Sequence, residues 1–109
     1  VDKVKLILKV LEEKGAENIK VIDLRNTGNV GDYAVVADAS NPRLLKALSE
    51  YVEEALAQAG DAIHHIEGKA NSDWILLDVY DVIVHLFIAQ ARQFYRLDEL
   101  YIDRWMQVE

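Results

Sequence analysis

Residues 74–87 read WILLDVYDVIVHLF, and no other stretch of the chain constrains the fold as tightly. β-Branched and aromatic residues flank a polar break at Tyr80-Asp81, which is the pattern of two strands joined by a turn. If the turn holds two residues, Val79 lies opposite Val82, Leu77 opposite Val84, Ile75 opposite Leu86 and Trp74 opposite Phe87. Side chains alternate faces along a strand, so the ribbon sorts into two sets. One face carries Ile75, Leu77, Val79, Val82, Val84 and Leu86 and is wholly aliphatic. The other carries Trp74, Leu76, Asp78, Ile83, His85 and Phe87 and is aromatic and mixed. A four-residue turn leaves both sets intact, whereas a three-residue turn scrambles them. The aliphatic face is core, and the mixed face is where function has to be sought.

Upstream of this ribbon, Val4, Ile7, Leu8 and Leu11 form a helical stripe over residues 2–14, with Gly15 as its stop. Leu6 and Val10 widen that stripe beyond what a helix lying on one sheet needs. Ile19–Leu24 and Tyr33–Ala37 read as strands. The second is an unbroken apolar run, as expected of a central strand covered on both faces. Ser40-Asn41-Pro42 starts a second helix with a capping side chain and a proline at the first helical position. Leu45, Leu48, Val52, Leu56 and Ala59 line one face of it up to Gly60. Ala62–Ile66 reads as a short strand, Glu67–Asp73 as a loop, and Ala89–Tyr95 and Asp98–Trp105 as short terminal helices. The order α-β-β-α-β-β-β-α predicts an α/β (mixed α+β) fold, a mixed five-stranded sheet with helices packed on it.

With 109 residues and no linker-like stretch, residues 1–109 are expected to form one domain. Hydrophobic residues make up 51%, enough for a real core, and there is no cysteine for a disulfide framework or thiolate chemistry. No apolar run approaches the roughly 20 residues needed to cross a bilayer, and no signal-peptide pattern is present, so a cytoplasmic location is expected. The start at Val1 points to upstream residues. A net charge of −7 argues against gripping nucleic acid by its phosphates and favours a basic partner.

Candidate chemistry is sparse. His64 and His65 are neighbours on an expected strand and would point to opposite faces, so they cannot chelate one ion, and His85 has no second imidazole at ligand spacing. Gly28-Asn29-Val30-Gly31 joins two strands in an acidic chain and reads as a turn, not as an RNA-binding or phosphate-binding loop. Metal-dependent nucleotidyl transfer needs two acids on one strand face, two residues apart. Asp78 and Asp81 are separated by a turn, and Asp23, Asp32 and Asp38 fall at strand ends or in loops, where carboxylates are solvated. No catalytic residue, metal site or cofactor is therefore expected.

The same residues carry a resemblance. Glu67-Gly68, Asp73-Trp74, Asp78, Asp81-Val82-Ile83-Val84-His85, then Arg92, Tyr95, Leu97 and Leu100 follow the carboxy-terminal signature of the Iojap family of ribosomal silencing factors. Asp23, Asp32-Tyr33, Ser40 and Arg43 fall where that family places similar residues, so the likeness covers roughly residues 17–101. Tyr80 departs from it: the family commonly has glycine there, suited to a tight primed turn, and tyrosine implies a different or looser loop. The resemblance implies a fold similar to nucleotidyltransferase domains without their catalytic acids. It also implies binding to the large ribosomal subunit through universal large-subunit protein fourteen. Such binding would sterically block joining of the small subunit and repress translation under nutrient limitation. The residues expected to meet that partner are Trp74, Asp78, Tyr80, Asp81 and His85, with Trp74 an anchor more than a core residue. A homodimer is expected for the free protein, in keeping with the apolar surplus of the first helix. The alternative is a divergent nucleotidyltransferase-like enzyme.

Overall fold

The computed structural model describes residues 2–26, 31–61, 63–68, 73–91 and 105–106. Helix α1 (Asp2–Glu13) buries Val4, Ile7 and Leu11, one side chain per turn on the core-facing stripe. Leu8 of the stripe and the additional Leu6 and Val10 are half-buried and pack against the same core, so the widened stripe is partly absorbed within the molecule. Helix α2 (Pro42–Gln58) starts as its sequence dictates: Asn41 Oδ1 accepts from the Leu44 amide at 2.8 Å, and Pro42 occupies the first turn. Leu45, Leu48, Val52 and Leu56 are its buried face, while Ala59 lies past the end as an exposed cap.

Among the described residues, six strands form one sheet. They are β1 (Glu17–Asp23), β2 (Tyr33–Ala39), β3 (His65–Glu67), β4 (Trp74–Val79), β5 (Val82–Ile88) and β6 (Trp105–Met106), in the order β3-β4-β5-β2-β1-β6. The sheet is mixed, because β2 and β5 run parallel while every other neighbouring pair is antiparallel. β2 is buried at every position, as befits a strand with neighbours on both edges and cover on both faces. The five expected strands are present with shifted ends, the third lying at His65–Glu67, so that His64 precedes it. β6 was not expected. Trp105, assigned from sequence to the end of a helix, instead pairs with Ile22 and extends the sheet beyond β1. Residues 89–91 continue from β5 as helix, and the rest of both expected terminal helices, with Arg92, Tyr95, Leu97 and Leu100, lies outside the described residues.

Both helices lie on one face of the sheet and on each other. The principal core there includes Val35 and Ala37 of β2, Leu77 of β4 and the whole aliphatic face of the hairpin. A smaller cluster, Ile22, Leu24, Ala34, Val36 and Phe87, lies on the opposite face with Trp74 packed against it. Asp38 corrects the sequence reading. It lies inside β2, is buried, and accepts from Asn18 Nδ2 at 3.0 Å instead of standing in solvent.

Candidate partner-binding face

The hairpin register is the one that a two-residue turn requires, with every pair from Trp74↔Phe87 to Val79↔Val82 in place. Tyr80 nevertheless corrects the expectation of a looser loop. It adopts φ 65°, the left-handed region that glycine favours, and the turn stays tight. Four contacts hold it there. The Tyr80 amide donates to Asp78 Oδ1 at 3.1 Å, and its ring lies 5.0 Å from that of His64. The Asp81 carbonyl accepts from the Asp32 and Tyr33 amides at 2.7 and 3.1 Å.

A residue of α1 reaches the same tip. Lys3 Nζ donates to Asp81 Oδ1 at 2.8 Å and to the Val79 carbonyl at 3.1 Å. That hydrogen bond holds the Asp81 carboxyl below the usual carboxylate range. Nothing in local spacing links Lys3 to Asp81, so sequence reasoning missed this tie. Only the turn-and-helix topology brings residues 78 positions apart together.

The mixed face is a graded surface. Phe87, at 0% exposure, is its anchor to the molecule, while Trp74, Leu76, Asp78, Ile83 and His85 are half-buried. Trp74 stacks on Phe87 with centroids 5.2 Å apart, and its indole Nε1 donates to His85 Nδ1 at 3.2 Å. The accepting Nδ1 carries no proton, so the neutral imidazole holds its proton on Nε2. Burial pushes the His85 pKa down to about 4. The pairings His65↔Asp78 and Glu67↔Leu76 carry this face onto β3, and Ala34↔Ile83 and Val36↔His85 carry it onto β2. Glu67 and Asp78 thus place negative charge on an aromatic and aliphatic patch.

Of the five residues expected to meet a partner, Trp74, Asp78 and His85 share this face, whereas Tyr80 and Asp81 form the hairpin tip beside it. Two of the other acids weighed from sequence have side-chain partners. Asp23 pairs with Arg25 at 2.9 Å, which raises the already high pKa of that guanidinium, and Asp38 is tied to Asn18. Among the described residues, no group of three or more His, Cys, Asp or Glu side chains is placed to hold a metal ion. No helix there is long and apolar enough to cross a membrane.

The family model "Ribosomal silencing factor during starvation" (RsfS) matches residues 1–109. The chain belongs to the ribosomal silencing factor family. It is 35% identical over 99 residues to the ribosomal silencing factor of Treponema pallidum, covering 89% of this chain and 87% of that one. Identity to the silencing factor of Zymomonas mobilis is 32% over 97 residues, covering 89% and 73% of the two chains. The fold is similar to the crystal structure of protein CV0518 from Chromobacterium violaceum, with a TM-score of 0.87 at 28% identity over 99% of this chain and 88% of that one. The silencing factor family is regulatory and non-enzymatic, which removes the divergent nucleotidyltransferase as an alternative.

Proposed function

We propose that this silencing factor, acting in the cytoplasm as one domain, binds the large ribosomal subunit through universal large-subunit protein fourteen. By covering the subunit-joining surface it blocks the small subunit and lowers translation when nutrients are scarce. The mechanism is steric occlusion, with no bond made or broken in the partner. Family membership over residues 1–109 carries the reading. The mixed face supports it, since an aromatic patch carrying Glu67 and Asp78 complements a basic partner through apolar anchoring and charge steering. Trp74 and His85 form the apolar centre of the contact, and Asp78, Tyr80 and Asp81 form its charged and aromatic tip. Free copies pair as homodimers, which light scattering at micromolar concentration tests directly.

Purified subunits mixed with the protein and sedimented through sucrose provide the functional test. The expected result is protein in the large-subunit peak and fewer joined ribosomes. Protein found with the small subunit, or unchanged joining, overturns the reading. Trp74→Ala locates the surface. Because its ring is only half-buried, the variant stays folded at less than the roughly 3–5 kcal/mol lost on truncating a fully buried tryptophan. It should nevertheless lose most of its affinity for large subunits, as removal of an aromatic anchor does.

A further inference from the structure

A second surface lies on the other side of the sheet. Strand β3 is the outermost strand, paired with β4 alone among the described residues. Ile66 pairs with Leu77 and so points to the helix side, yet its side chain is 41% exposed because α2 does not reach over it. Between the last turns of α2 and this edge is an open groove of about 530 Å3, lined by Glu53, Ala57, Asp61, Ile63, His64 and Ile66, with His65 at its rim. Its base is aliphatic, from Ala57, Ile63 and Ile66, and Glu53 and Asp61 place carboxylates on the α2 side.

We propose that this groove seats an extended, basic segment of a partner protein, laid along β3 as an added strand. Three features select that occupant. Successive residues of a strand direct their backbone groups to opposite neighbours, so the outer side of β3 offers donors and acceptors that an extended chain satisfies. Every second side chain of such a segment turns to the groove, where the aliphatic base takes the apolar ones. Glu53 and Asp61 then favour lysine or arginine over acidic residues. A second copy of this chain fits poorly, because a two-fold axis at β3 would bring two sets of these acids together in a protein of net charge −7. The groove faces the helix layer and the Trp74–His85 patch faces the opposite side, so both surfaces are available at once.

The test is an NMR titration of the 15N-labelled protein with a capped heptapeptide of threonines carrying valine at its second and sixth positions and lysine at its fourth, all on one strand face, and with the counterpart that carries glutamate in place of the lysine. The lysine peptide is expected to bind saturably, shifting the amides of Ile63–Glu67 together with Ala57 and Asp61, while the glutamate peptide does not bind. Ile66→Lys and the pair Glu53→Lys with Asp61→Lys change exposed or groove-edge side chains. Each should weaken binding about tenfold or more with an unchanged melting midpoint. Equal binding of the glutamate peptide overturns the proposal, as does full affinity in both variants. Shifts confined to the Trp74–His85 face also overturn it, and so do groove shifts that follow protein concentration without peptide, which would put a second copy there.

Discussion

His85 is where a single side chain makes stability depend on pH. Its neutral ring accepts the Trp74 indole proton in a half-buried stack, and its pKa is pushed down to about 4 from an ordinary value near 6.5. The folded state therefore binds fewer protons than the unfolded chain between those values. The stabilisation is fully present above pH 6.5 and is lost as pH falls towards 4. At about 1.4 kcal/mol per pH unit, the loss approaches 3 kcal/mol, measurable as a falling urea midpoint from pH 7 to pH 4. A flat midpoint over that range would show that His85 takes up its proton as readily in the fold as in the unfolded chain. Trp74→Phe keeps a ring on Phe87 but removes the N–H donor. It should cost about 1 kcal/mol and raise the His85 pKa, followed by the imidazole NMR shifts. The cross-strand neighbourhood of these residues was legible in the alternation of residues 74–87. The hydrogen bond between them was not, because alternation assigns a face and says nothing of rotamers.

Among the elements, the two turns flanking β4 carry opposite kinds of constraint. Before it, Gly68 adopts φ 100°, and a Cβ built there would stand 2.5 Å from the Trp74 carbonyl oxygen and 3.0 Å from Ile75 Cα. Backbone cannot yield as a side-chain tip does. Gly68→Ala should therefore destabilise the protein by at least about 2 kcal/mol and detach β3 from β4, seen as lost amide protection at residues 65–67. After β4, Tyr80 occupies a left-handed conformation that costs an L-residue about 1–2 kcal/mol. Tyr80→Gly removes that cost and adds chain entropy in the unfolded state, so chemical denaturation should report a net gain of about 0.5–1 kcal/mol. A loss of stability would mean that the His64 contact outweighs the backbone strain. Strand and helix positions were readable because they follow periodicities of 2 and 3.6 residues and a proline-marked cap at Asn41. The Tyr80 turn was misread because the sequence holds no glycine there, and the conformation is imposed by Asp78, Asp81 and the strands they join. Strand β6 was missed for a related reason. Two residues are too few to show alternation, and their pairing with β1 is a tertiary fact.

At the scale of the whole molecule, a charge of −7 acts at a distance. The screening length is about 10 Å at 0.1 M salt and shrinks to about 3 Å at 1 M. Raising salt from about 50 to 500 mM should slow association with large subunits several-fold and leave dissociation nearly unchanged, as a stopped-flow or surface-binding experiment would resolve. A larger effect on dissociation would place close ion pairs, not long-range steering, at the centre of recognition. The parallel pairing of β2 with β5 reaches further still, into how the protein is made. Their residues are joined in register from Tyr33↔Val82 to Ala39↔Ile88, across everything between them in the chain. Synthesis runs from the amino terminus, so β2 leaves the exit tunnel while β5 is still unmade. For that interval the nascent chain carries a largely apolar strand with one edge unmet, a template for adhesion to other newborn chains. The hairpin that ends this exposure is the same one that carries the candidate partner face, so folding and binding competence arrive together, late in translation.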